Sequence, residues 1–223
     1  MLFGLQPPQK KVLRIVILDT GFTRTVTSKI KLCKSGAKDF TGSGIHDNTG
    51  HGSHIANIIA DRLQDVEYCA IIVKWFNPNL TPLERQETTL DAFKYIDTLK
   101  DIALVNYSAG GQGSSVEERD VLQALGTKGI KLVVSAGNER HNLDKDCNFF
   151  PACYNVSGMA VIGNGVSMKK RNKTSNYGNK VTQWEDGTDV LANAGIYGNV
   201  KMTGTSQAAA IVSAKYIKEL SNK

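Results

Sequence analysis

The chain has 223 residues, 41 % of them hydrophobic and 22 % charged, with a formal net charge of +6. This composition excludes a disordered or fibrous chain and suffices for one full core, since chains of this length bury roughly 70 % or more of their unfolded surface. No apolar run is long enough to span a bilayer, and Met1 to Leu5 is too short and too close to Pro7 and Pro8 for a signal peptide. The chain as given is therefore expected to be cytoplasmic, with a secreted mature domain as the alternative.

A tail, 1–11, precedes a single domain over 12–223. The first element is a buried strand, Val12 to Leu18, that runs into Asp19-Thr20-Gly21, and a short strand follows at Gly36 to Phe40. The polar stretch Thr41 to Gly50 leads into a helix that opens at His51 and runs to Leu63; a strand follows at Tyr68 to Trp75. Pro78 and Pro82 punctuate a loop ahead of a helix over Thr89 to Lys100, whose Leu90, Phe93, Ile96 and Leu99 share one face. After the strand Ala103 to Tyr107, Ser115 and Glu118 have the spacing of a capping box for a helix to Lys128, which Gly129 ends.

The strand Ile130 to Ser135 comes next and exits into Ala136-Gly137-Asn138; another strand spans Ser157 to Ile162. The segment 163–186 reads as loop, Thr188 to Leu191 as a short strand, Tyr197 to Met202 as an approach to Gly204-Thr205-Ser206, and Ile211 to Leu220 as a helix. Strands separated by single helices predict a three-layer α/β/α fold with a mostly parallel central sheet. Lys169-Lys170-Arg171-Asn172-Lys173 is the one dense basic cluster; without interleaved aromatics it reads as a solvated loop, and no nucleic-acid or membrane partner is expected.

Three polar residues stand out against this frame. Ser206, among small residues at the start of a helix, has its backbone N–H at the positive helix end, where an oxyanion would be stabilised; taken alone the segment reads as ordinary capping. A nucleophilic serine needs a base, and of the four histidines His51 is glycine-flanked at a helix start. His54, one turn further, is the competing base and reads as structural. Asp19 closes a central strand, the edge at which ligand and catalytic groups of open α/β sheets collect.

Aspartate, histidine and serine in that chain order, carried by Asp19-Thr20-Gly21, His51-Gly52-Ser53-His54-Ile55-Ala56 and Gly204-Thr205-Ser206-Gln207-Ala208, resemble the subtilisin family (subtilases) of serine peptidases. Asn106-Tyr107-Ser108-Ala109-Gly110-Gly111 is similar to that family's substrate-binding strand and Ala136-Gly137-Asn138 to its oxyanion turn. The resemblance implies a subtilisin-like endopeptidase with Asp19, His51 and Ser206 as the triad and Asn138 with the Ser206 N–H as the oxyanion hole. It also implies an extended polypeptide bound along Asn106, Tyr107, Ser108, Ala109 and Gly110. The walls of the side-chain pocket would come from Ala109-Gly110 and from Ser135, Ala136, Gly137 and Asn138, and its floor from the segment ending Phe149-Phe150-Pro151. No cofactor and no metal are expected. Two rivals share the same residues: a binding protein that keeps the fold without the chemistry, and an esterase or acyltransferase using the same triad.

The departures carry expectations of their own. Gln207 and Ala210 replace a common methionine and proline without threatening the nucleophile, and Asn57 replaces a usual glycine, which is expected to loosen the packing of the histidine helix. Phe149 stands where many relatives carry a small residue, predicting a shallow pocket for small or medium side chains, although Glu139 at the rim argues for a basic one. Phe150-Pro151 resembles a family position with a cis bond. Secreted relatives hold calcium in a loop inserted after the histidine helix. Here only Gln64 to Glu67 connect helix and strand, too few for six to eight oxygen ligands, so no calcium is expected there.

The chain as given is expected to be a mature domain or a member that folds unaided, and Leu2 to Pro8 is a candidate inhibitory segment that reaches a neighbouring molecule more easily than its own site. Cys33, Cys69, Cys147 and Cys153 lack zinc-site spacing. A disulfide could close the loop between Cys147 and Cys153, and the family fold brings Cys33 and Cys69 near the starts of neighbouring strands. Whether the four are bridged or free stays open at this stage.

Overall fold

The computed structural model describes residues 12–223; the candidate inhibitory segment Leu2 to Pro8 lies outside them. Among the described residues nine strands and four α-helices follow one another: β1 (Leu13–Asp19), β2 (Lys38–Asp39), α1 (His51–Arg62), β3 (Tyr68–Lys74), α2 (Pro82–Thr98), β4 (Ile102–Tyr107) and α3 (Val116–Thr127), then β5 (Lys131–Ser135), β6 (Met159–Asn164), β7 (Gln183–Glu185), β8 (Val190–Asn193), β9 (Asn199–Met202) and α4 (Thr205–Ser221). Seven strands form one sheet in the order β2-β3-β1-β4-β5-β6-β7, and every pair in it is parallel. A parallel sheet needs both faces covered, because each crossover lays a helix on one of them.

The strands show how. In β1, Ile15 and Ile17 face α1 and α4, joining Ile55, Ile59, Leu63, Ile211 and Ile217 in one core, while Val16 and Leu18 face α2 and α3, joining Phe93, Ile96, Leu122 and Leu125 in the other. Period-two alternation thus feeds two cores from one strand and yields the expected three layers. From β1 the chain first builds to one side, with β2 and β3, and then to the other, with β4 through β7. The strand order reverses at β1 and β4, so their C-terminal ends flank the crevice where open α/β sheets bind ligands.

Several local expectations are corrected. The second helix begins at Pro82, seven residues ahead of the predicted Thr89. Thr81 caps it by accepting from Glu84 N (3.3 Å), and the Glu84 carboxylate accepts from Thr81 N (2.7 Å). Pro82 is thus a helix-starting proline rather than loop punctuation. The predicted box at α3 is half formed: Ser115 Oγ accepts from Glu118 N (3.1 Å), but the Glu118 carboxylate turns inward to accept from Tyr154 OH (3.0 Å). The loop 163–186 contains β7, and β8 and β9 pair antiparallel as a hairpin beside α1. Asn57, expected to loosen α1, ties it down: buried, its Nδ2 donates to Ser53 O (2.9 Å) and Asn193 O (3.0 Å).

Both cysteine pairs are bridged, Cys33 to Cys69 and Cys147 to Cys153. The second closes the loop that presents Phe149 and the cis Phe150-Pro151 bond.

Candidate active site

Asp19 ends β1 at the strand-order reversal and is 2 % exposed. Its Oδ1 lies 2.7 Å from His51 Nδ1 and accepts from Thr20 N at 2.8 Å, while Oδ2 is buried without a hydrogen-bond partner among the described residues. Because a carboxylate can only accept, Nδ1 carries the proton of the neutral imidazole and Nε2 keeps a lone pair. His51 is the first residue of α1, and the helix is pressed against the turn after β1. A Cβ on Gly52 would lie 2.3 Å from Gly21 O, so only glycine lets the histidine come this close. Burial pulls the imidazolium down, but the charge and hydrogen bond of Asp19, with a smaller push from Asp47, outweigh it and hold the His51 pKa above its ordinary value.

Ser206 arrives from the other side of the crevice. It is the second residue of α4, whose start at Gly204 has no side-chain cap. Its hydroxyl donates to Ser108 O (2.9 Å), immediately beyond β4, the strand paired with β1. The turn after β5 is tied to the same helix start: Thr205 N donates to Asn138 Oδ1 (3.0 Å), and Gly137 N donates to Thr205 Oγ1 (3.2 Å). With its oxygen so engaged, the exposed Asn138 has its Nδ2 group left to donate, next to the uncapped start of α4.

The expected substrate strand is corrected in part. Asn106 and Tyr107 belong to β4, are paired on both sides, by β1 and β5, and are 0 % and 3 % exposed; neither offers an edge. Ser108 is buried too, and exposure begins at Ala109, Gly110 and Gly111, beyond the flanking strands. Ser135 and Ala136 are buried, with Ser135 Oγ donating to Ala109 O (3.3 Å). Phe149 does sit between the two exit segments: a Cβ on Gly110 would lie 2.4 Å from its ring, and one on Gly137 would lie 2.9 Å from it.

His54 is turned toward backbone carbonyls of the β8–β9 hairpin. Fully buried, it places Nε2 3.1 Å from Val190 O and 3.2 Å from Val200 O, and burial holds its pKa down. Sequence reasoning missed three supporting residues. Asn176 holds the 136–141 turn by accepting from Glu139 N (3.0 Å) and His141 N (2.9 Å) and donating to Ala136 O (2.8 Å). Ser213 donates to Asn106 Oδ1 (2.9 Å) under α4. Asp47, 0 % exposed, organises the start of α1; a carboxylate four residues ahead of His51 was the signal for it.

The profile of the Subtilase family matches residues 10–220. This chain is a subtilase. It is 29 % identical over 205 residues to an alkaline proteinase of Hapsidospora chrysogena, covering 86 % of this chain and 48 % of that one. It is 25 % identical over 217 residues to the major intracellular serine protease of Bacillus subtilis (strain 168), covering 91 % and 66 %. The subtilase thus spans about half to two thirds of the length of these curated relatives. The crystal structure of a cold-adapted subtilisin-like serine proteinase shares its fold, with a TM-score of 0.69 at 21 % identity over 93 % of this chain and 76 % of the other.

Proposed function

We propose that this subtilase is a serine endopeptidase that cleaves extended polypeptides, with Ser206 as nucleophile, His51 as general base, Asp19 as its orienting carboxylate, and Asn138 Nδ2 with the Ser206 N–H as the oxyanion hole. The observation that carries the reading is the 2.7 Å contact of Asp19 Oδ1 with His51 Nδ1 at the sheet's reversal point, beside the strand whose exit holds the Ser206 hydroxyl.

In this mechanism Ser206 Oγ rotates away from Ser108 O, gives its proton to His51 Nε2 and attacks the peptide carbonyl. Asp19 stabilises the imidazolium that forms. The negative oxygen takes hydrogen bonds from groups already oriented, so no reorganisation is needed as charge develops; in subtilisin itself, loss of the corresponding asparagine donor costs about 10²- to 10³-fold in turnover. His51 then protonates the leaving amine, and water repeats the cycle on the acyl-enzyme.

The partly exposed Ala109 and Gly110, ahead of Gly111, whose N–H and C=O both pair with Phe150, support binding of an extended chain by backbone pairing. Phe149, filling the space between Gly110 and Gly137, supports a shallow pocket for a small or medium side chain before the scissile bond. The two bridges fit an oxidising compartment and favour the secreted alternative. Ser206→Ala tests the assignment: casein cleavage should vanish while the circular dichroism spectrum stays unchanged. Cleavage at the wild-type rate would refute the nucleophile.

A further inference from the structure

Asp47 is a carboxylate with no exposed surface, in a loop that precedes the catalytic-site helix. Burial of a carboxylate normally raises its pKa, yet here the hydrogen bonds that converge on it overcome that penalty and hold the group ionised. Oδ1 accepts from Gly50 N (2.9 Å), Thr49 N (3.0 Å) and Thr20 Oγ1 (2.9 Å), and Oδ2 accepts from Ser53 N (2.7 Å). Thr49 Oγ1 lies 3.0 Å from Oδ1 and 2.8 Å from Thr20 Oγ1. Thr20 in turn accepts from Gly52 N at 2.9 Å.

Two consequences follow from this placement. The residues on either side of His51 are both anchored, Gly50 to Asp47 and Gly52 to Thr20, and Thr20 is the neighbour of Asp19. The network therefore fixes the imidazole relative to its carboxylate through the backbone on both sides, not only through the 2.7 Å contact. The same hydrogen bonds hold the Asp47 carboxylate ionised at the start of α1, and its charge adds a small push toward the imidazolium.

We infer that Asp47 is a positioning residue for His51, acting through Thr20 and the Gly50 and Gly52 amides to hold the imidazole against Asp19. This rests on the reading of His51 as general base. The other titratable groups around the imidazole are Asp19 from β1 and His54 from α1 itself; β8 and the first turn of α4, 205–208, carry no charged side chain. Near Asp47, His46 Nδ1 lies 3.1 Å from Thr23 Oγ1, and the buried Lys74, whose charge also acts on Asp39, donates to His46 O (2.6 Å).

The test uses the full chain and two readouts: NMR titration of the His51 ring, which needs no turnover, and the pH profile of kcat/KM. Asp47→Asn should move the His51 titration and the acidic limb of the profile together to lower pH. Thr20→Val keeps the Asp47 charge but removes the link to Gly52. It should reduce kcat by about ten- to a hundred-fold, the scale of a misplaced catalytic group, with KM nearly unchanged, and Thr20→Ser should restore it.

A folded Asp47→Asn variant with an unmoved His51 titration would overturn the inference. So would wild-type kcat in Thr20→Val, a result that remains informative even if Asp47→Asn does not fold. If wild type and variants all lack peptidase activity, the endopeptidase reading fails, while the NMR titration still decides whether Asp47 acts on His51.

Discussion

Ser206 and Ser108 hold each other reciprocally: the Ser206 hydroxyl donates to Ser108 O at 2.9 Å, and the Ser108 hydroxyl donates to Ser206 O at 3.1 Å. Ser108 Oγ also accepts from Asn106 Nδ2 (2.9 Å), and Asn106 Oδ1 accepts from Ser213 Oγ (2.9 Å). A buried polar chain thus fastens α4 to β4 and carries the candidate nucleophile at its end. Ser108→Ala would leave Asn106 Nδ2 without its acceptor, at a cost of about 1–3 kcal/mol for an unpaired buried group. Urea unfolding in a Ser206→Ala background, which prevents self-digestion, should show a lower midpoint at unchanged slope; an unchanged midpoint would mean that the chain of bonds contributes nothing.

The filled space between Gly110 and Gly137 gives a specificity prediction. A peptide library should show small or medium side chains preferred just before the scissile bond, and Phe149→Ala should extend the preference to large apolar ones. A wild-type profile dominated by Phe or Trp would contradict this assignment of the pocket.

Glu118 gives a pH prediction. Burial raises its pKa more than the Tyr154 hydroxyl lowers it, so the folded protein holds this proton more tightly than the unfolded chain does. The sign follows from linkage: the contribution is fully present below the ordinary carboxylate pKa and lost as pH rises through the raised folded value. Glu118→Gln keeps an acceptor for Tyr154. It should melt higher than its Ser206→Ala parent at neutral pH, with the difference vanishing in acid; a variant that melts lower at neutral pH would reverse the sign.

The two bridges differ in span. Loop-closure entropy assigns about 4 kcal/mol to Cys33–Cys69, separated by 36 residues, and about 2 kcal/mol to Cys147–Cys153, separated by 6. Double alanine replacement of the first pair should therefore lower the melting temperature more than replacement of the second. Alkylation before reduction should label no cysteine; labelling of the native protein would show the pairs to be open.

How much of this was legible in the sequence depended on how local each signal is. Asp19, His51, Asn138 and Ser206 sit where a strand ends or a helix begins, so a few adjacent residues reveal both the side chain and its place. The buried strands of the main sheet read as continuous apolar runs because both their faces are covered. The start of α2 is hard to read because a proline that opens a helix and one that breaks a loop look alike until Thr81 and Glu84 are read as its cap. Asn106 and Tyr107 read as part of an open strand edge because a segment does not reveal whether its edges are already paired. Asn176, Ser213 and, apart from its bond to Ser53 O one turn back, Asn57 act through partners distant in sequence, so nothing beside them in the chain pointed to those contacts.

Labelling with a serine-directed phosphonyl fluoride, followed by peptide mapping, tests the central claim most directly, because it requires nucleophile, base and oxyanion hole together without knowledge of the substrate. The account predicts a single adduct at Ser206 in the wild type, lost in His51→Ala. An adduct on another serine, or folded protein that takes up no label, would contradict it.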